Sequence, residues 1–277
     1  YETPGYYKYH CIVVPKDGEP VFLVRDFEWI NTPEFAWSTR FAKVFDWDHP
    51  PSVTSNVLQQ LGLTSGKRIG VEKQCFFYTV DEHETLTHDL PENNFVDATQ
   101  ILWDARMIKS VEEITELHKA VNTTAAMHRH AIKWTKHGVT EKQIAGELQA
   151  IAIAGGGNIS FPIILTKNGQ YLHNHATQAV VEDGDIVLCD CGAETAMNYA
   201  GDMTRTFPVA QRFTDIQREI YSIVLDAHES YYYSHMINSW GSPPDTNKVL
   251  LDIKNLHLNA CIYLISETDS LLYWKHP

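Results

Sequence analysis

Apolar and polar positions alternate in some stretches of the chain and recur with helical spacing in others, and together they outline two regions. From Cys11 to Asp26 the apolar run CIVVP is followed by the polar KDGEP and a second run, VFLVRD, which predicts a β-hairpin around a Gly-containing turn. Short strands are expected at Lys67–Glu72 and Asn94–Ala98. Ser55–Leu63 places Val57, Leu58 and Leu61 at helical spacing. Residues 1–105 therefore read as a smaller mixed α/β domain.

A helix is expected from Ser110, where Ser110 and Glu113 have capping-box spacing and Val111, Ile114, Leu117 and Val121 form an apolar stripe. Thr140 with Gln143 repeats the signal for a helix carrying Ile144, Leu148 and Ile151 and ending at Gly155-Gly156-Gly157. The period then changes to strands at about Phe161–Thr166, Asp185–Cys191 and Tyr199–Val209, and Thr214 with Gln217 opens a third helix. Helix, helix, antiparallel strands and helix make an α+β pattern with a boundary near residue 105.

Composition narrows the function classes. A formal charge of −13 argues against nucleic acid as a partner, since phosphate recognition uses clustered Lys and Arg. No apolar run approaches the length of a membrane span and no signal peptide is visible, so a cytoplasmic location with no membrane partner is expected. Five scattered cysteines without a CxxC pair read as reduced thiols.

The chemistry concentrates in DIVLCDCGAETAMNYAGDMTRTF, Asp185 to Phe207. If its two strands turn around Ala196, Asp190 and Asp202 fall directly opposite each other, an arrangement that destabilises a sheet unless the charge is managed. A shared proton or a bound cation would manage it. Spacing alone also permits a strand-end Asp190 and a solvated turn Asp202. Cys189 and Cys191 flank Asp190 and point to the other face, where packing is their expected role. His173 and His175 would face the same way if their segment is extended, whereas His128 and His130 on a helix would diverge.

Asp190-Cys191-Gly192-Ala193 followed by Gly201-Asp202-Met203-Thr204-Arg205-Thr206-Phe207 resembles the two metal strands of the pita-bread metallopeptidases, the creatinase/aminopeptidase P/methionine aminopeptidase family. Asn168 to His173, Gly184-Asp185 and the segment Phe213 to Leu225 extend the likeness, and Arg106 to Ile114 resembles the entry to the catalytic domain. YETPGYYKYH and VVPKDGEPVFLV resemble the amino-terminal domain of Xaa-Pro peptidases and creatinase. The resemblance implies a creatinase-like domain at 1–105, incomplete at its start, and the first half of a pita-bread domain at 106–230.

It further implies an Xaa-Pro aminopeptidase or dipeptidase acting on proline-containing peptides. Asp190 and Asp202 would be metal ligands for two divalent ions, manganese ahead of cobalt or zinc. His173 would be the catalytic and substrate-site histidine, with His175 a second substrate-binding candidate, and the protein a homodimer. Residues 231–277 depart from the family: no H-G-x-G-H segment or glutamate-bearing strand follows, so this stretch reads as a divergent tail. His228, Glu229, His235, His257 and Glu267 lie there or just before it without a recognisable motif. The chain alone is thus expected to be inactive, with a non-catalytic fragment or pseudoenzyme that binds peptide or protein, and a metal-independent C–N hydrolase like creatinase, as the other readings.

Overall fold

The computed structural model describes residues 9–28, 38–169, 171, 173, 175–209 and 212–240, the side chains of 231–240 excepted. Contacts divide the chain between Lys109 and Ser110 into two compact units.

In the first unit, β1 (Cys11–Val13) pairs antiparallel with β2 (Val21–Arg25), forming the expected hairpin, and β2 pairs parallel with β3 (Phe41–Val44). A separate parallel pair, β4 (Arg68–Val71) and β5 (Asn94–Asp97), is connected through α2 (Val80–Asp89). Helix α1 (Pro50–Gln60) begins five residues before the expected Ser55, because Pro50 and Pro51 are suited to the first helical turn, where no intrahelical N–H partner is needed. It ends before Gly62, whose φ of +78° only glycine adopts readily. Strand β3, helix α2 and helix α3 (Thr99–Met107) were not expected. Helix α2 buries only Leu86, so it has no apolar stripe to read; its signal is the Thr79–Glu82 capping box. Val13, Val21, Leu23, Val44, Val57, Leu58, Leu86 and Leu90 form the core of this unit.

The second unit begins with α4 (Val111–Trp134) and α5 (Glu141–Ala154), both opened by the expected capping boxes. Ser110 accepts from Glu113 N–H while the Glu113 carboxylate accepts from Ser110 N–H. Ser110→Ala should cost about 1 kcal/mol, which calorimetry would record as a lower melting temperature. Three antiparallel strands follow in the order β6 (Ile164–Lys167), β7 (Ile186–Cys191), β8 (Met203–Pro208). One face of this sheet packs on the helices: Leu165, Val187, Cys189, Cys191 and Phe207 join Met127 and Ala131 of α4 and Ile144, Leu148 and Ala152 of α5 in one core. Each large aliphatic side chain so buried contributes about 2 kcal/mol. The last described helix is α6 (Asp215–Trp240). No helix among the described residues is long and apolar enough to cross a membrane.

Two polar contacts fasten the β7–β8 hairpin to its surroundings. Thr124 of α4 accepts from Ala193 N–H at 2.9 Å, and Ser160 donates to the Gly201 carbonyl at 2.7 Å. The glycines at 155–157 do more than end α5, since a Cβ on Gly157 would overlap the Glu194 carbonyl of the hairpin.

Candidate active site

The hairpin places its residues by register. The loop between Thr195 and Tyr199 is closed by Tyr199 accepting from Thr195 N–H, and Asn198 takes a left-handed φ of +59°, so the turn centres on Met197 instead of Ala196. Asp190 consequently pairs with Thr204, and Gly192, one step beyond the Cys191↔Met203 pair, falls opposite Asp202. The two aspartates are therefore diagonal neighbours, not directly opposed. Moving the centre by one residue shifts the pairing by two, an even number, and so keeps both carboxylates on one face of the sheet.

That face is opposite the one on the helical core. Asp190 is half-buried and Asp202 exposed. Burial first, and next the charge of Asp202, push the Asp190 carboxyl up to about 6, with a hydrogen bond from Thr204 opposing the shift. The Oδ1 atom of Asp190 is shielded from solvent and has no hydrogen-bond partner, and the same holds for Oγ1 of Thr206, two residues along β8 from Thr204 on that face. An acceptor oxygen so placed costs free energy unless something electropositive meets it. Two carboxylates on one face, one with a shielded free oxygen, are hard oxygen donors of the kind that bind a divalent cation.

The histidine loop connects β6 to β7. Ile164 pairs with Asp190 on one side and forms an antiparallel bridge with His175 on the other, so His175, Ile164, Asp190 and Thr204 form one row across the sheet. Paired antiparallel residues project from the same face, and two strand spacings put His175 about 10 Å from Asp190. His173 is exposed with a left-handed φ of +52°, so the stretch is not extended through it and the two histidines do not form the expected pair. A non-glycine residue there costs about 1 kcal/mol.

The remaining candidates divide clearly. Cys189 and Cys191 point into the core, as expected, and with His128 they form a buried cluster whose potential ligand atoms lie within 4.8 Å of one another. Nε2 of His128 lies 2.7 Å from the Met203 carbonyl. A carbonyl only accepts, so Nε2 carries a hydrogen and offers no lone pair to an ion shared with the thiols. The hydrogen bond to Cys191 and burial hold the Cys189 thiol well above its ordinary value. All three side chains are buried, and hydrogen bonds from Cys189 and His128 pull the Cys191 thiol down to about 6. His130 diverges from His128 to meet Glu147 at 3.1 Å. His228 is half-buried on α6, where burial lowers its pKa, and Glu229 is exposed. The side chain of His235, together with His257 and Glu267, lies outside the described residues. A depression of about 310 Å³ in the first unit has Arg40 as its one charged lining residue, with the Glu19 carboxylate accepting from Thr39 at its edge.

Residues 115–235 match the model of metallopeptidase family M24, and residues 5–108 match the creatinase/prolidase N-terminal domain. Residues 115–235 thus belong to the M24, or pita-bread, family. The Xaa-Pro aminopeptidase of Escherichia coli strain K12 is 38% identical to this chain over 155 residues, covering 53% of the chain and 35% of that protein. The Xaa-Pro aminopeptidase of Haemophilus influenzae is 34% identical over 214 residues, covering 70% and 47%. The chain thus spans about half or less of the length of these relatives. Among solved structures, an Xaa-Pro dipeptidase from Bacillus anthracis superposes with a TM-score of 0.67 at 23% identity, over 79% of this chain and 60% of that one. A prolidase from Pyrococcus furiosus gives a TM-score of 0.64 at 25% identity, over 79% and 61%. The creatinase-like domain followed by pita-bread elements is therefore the fold.

Sequence reading missed Glu141, a buried carboxylate that binds both ends of the histidine loop. Its only local signal is an acidic residue in the first turn of a helix, which is too common to single out.

Proposed function

We propose that this chain carries the first part of the metal centre of an Xaa-Pro exopeptidase, with Asp190 and Asp202 as ligands of a dinuclear divalent site, manganese by preference. The shielded, unpartnered Oδ1 of Asp190 beside Asp202 is the observation that supports this most directly. Ions held there would polarise a scissile carbonyl and lower the pKa of a water. The chain's own residues would do the rest. Asp190 and Asp202 fix the position of the charge on the open face, Thr204 donates to Asp190, and His175 and His173 on the loop beside β6 orient a proline-containing peptide.

A second reading, a chain that binds ions or peptides without catalysing hydrolysis, is favoured by a different observation. Among the described residues no third His, Cys, Asp or Glu joins Asp190 and Asp202 in a cluster of metal-ligand dimensions. Two carboxylates alone hold a divalent ion weakly.

Titrating the chain with Mn²⁺ and following free ion by electron paramagnetic resonance tests the ligand assignment, and Ala-Pro hydrolysis in the same samples separates the readings. Weak binding is expected, weakened about tenfold or more in Asp202→Asn through loss of one of two charged ligands. Equal binding by Asp202→Asn would reject the assignment. Ala-Pro turnover that requires Mn²⁺ would favour the catalytic reading over the non-catalytic one.

A further inference from the structure

Glu141 is the first residue of α5 and only 2% exposed. A carboxylate so deeply buried is costly unless its oxygens are occupied, and here they are. Oε1 accepts from Lys167 N–H at 2.9 Å, while Oε2 accepts from Thr177 N–H at 2.8 Å and from the Thr177 hydroxyl at 2.6 Å. Lys167 is the last residue of β6 and Thr177 follows the bridge at His175, so the two oxygens grip the two feet of the loop that carries His173 and His175. The helix N-terminus adds a favourable field for the negative charge. The returning limb is tied to the same helix end by its backbone: Ala179 accepts from Glu141 N–H and Thr177 from Lys142 N–H, both at 3.0 Å, and Thr140 bridges Val180.

Between the feet the loop takes left-handed conformations at Asn168, Gly169 and His173. A path with such backbone strain needs fixed ends to hold one conformation. The outgoing foot is part of the β6 strand that pairs with β7, so wherever Glu141 holds Thr177 relative to Lys167 decides whether His175 meets Ile164 in the row of Asp190. We infer that Glu141 is a positioning residue for the site: its buried carboxylate, by joining Lys167 to Thr177, sets the level of His175 against Asp190. The inference rests on the functional reading above for its purpose, though not for its geometry.

The test uses Glu141→Gln. A glutamine has one acceptor oxygen, and its NH₂ opposes whichever backbone N–H it meets, so one foot is released. Hydrogen–deuterium exchange should accelerate about tenfold or more in the peptide spanning 168–177, with β7 and the rest of α5 unchanged, since a bond to a charged acceptor is lost locally. Thr177→Val removes only the hydroxyl and serves if Glu141→Gln fails to fold; the acceleration should then be smaller and confined to the returning limb. Positioning, as opposed to mere support, is read by NMR. Mn²⁺ should broaden the His175 imidazole signal, assigned through His175→Gln, and at equal Mn²⁺ occupancy Glu141→Gln should broaden it less.

Unchanged exchange, or equal broadening in wild type and variant, would overturn the inference. Absence of any broadening in the wild type would count against the metal assignment itself, and the exchange data would then decide the role of Glu141 alone.

Discussion

Asp190→Asn should make the metal-free protein more stable at pH 7 and, in the same molecule, remove its stabilisation by Mn²⁺. Burial and the Asp202 charge raise the Asp190 pKa from an ordinary 3.8 to about 6. The folded state therefore holds a proton on this carboxyl over a range where the unfolded chain has released it. Stability falls as pH climbs between those two values and stays reduced above the upper one. Discounted for solvent screening of a half-buried carboxyl, the cost at neutral pH is on the order of 1–2 kcal/mol, and an asparagine of the same shape does not incur it. The gain corresponds to a melting temperature higher by about 5 °C in a domain of this size. Wild type should regain the difference when a cation neutralises the pair, since a ligand at 100 times its Kd adds about 2.7 kcal/mol. Differential scanning calorimetry at pH 4.5 and 7, with and without Mn²⁺, checks all parts. A variant no more stable than wild type at pH 7, or one that Mn²⁺ stabilises equally, would contradict the account.

Gly192→Ala should be among the most damaging single changes in the second unit. A Cβ at this position would overlap the Gly201 carbonyl oxygen and the Ser160 hydroxyl, and the carbonyl is backbone that cannot turn aside. The residue lies opposite Asp202, so relief of the overlap would push the strands apart where the aspartates meet. Overpacking of this kind costs about 3 kcal/mol or more. The midpoint of urea unfolding should fall accordingly, and Mn²⁺ binding with it. Gly146→Ala supplies the contrast. Gly146 is exposed within α5 and a Cβ there meets nothing within 4 Å, so alanine should stabilise by about 0.5–1 kcal/mol through helix propensity. Equal midpoints for Gly192→Ala and wild type would show that the close approach is absent in solution.

Much of this architecture depends on information close by in the chain. The Ser110–Glu113 and Thr140–Gln143 capping boxes each join residues three apart, and both helices begin where those pairs predict. The Pro50-Pro51 start of α1 is equally local, set by two prolines in the first turn and not by the apolar spacing that follows. Helix α3 leaves Ile101, Leu102, Trp103 and Met107 exposed, so its pattern does not mark one buried face and reads poorly. The alternation that sent Cys189 and Cys191 to the core and Asp190 to the other face survived a misplaced turn centre because an even shift preserves the face.

Sequence alone sufficed for the starts of α4 and α5, the two faces of β7 and β8, the pita-bread resemblance and the nomination of Asp190 and Asp202 as ligand candidates. Each rests on neighbouring residues or on a motif of contiguous ones, so no distant contact has to be known. Tertiary structure alone decided that the aspartates sit diagonally, that His175 and not His173 shares the row of Asp190, and that Glu141 joins residues 26 and 36 positions away. Those relations are set by a three-residue turn, a left-handed loop and the docking of that loop on a helix end, and free energies of this kind depend on which segments meet in space.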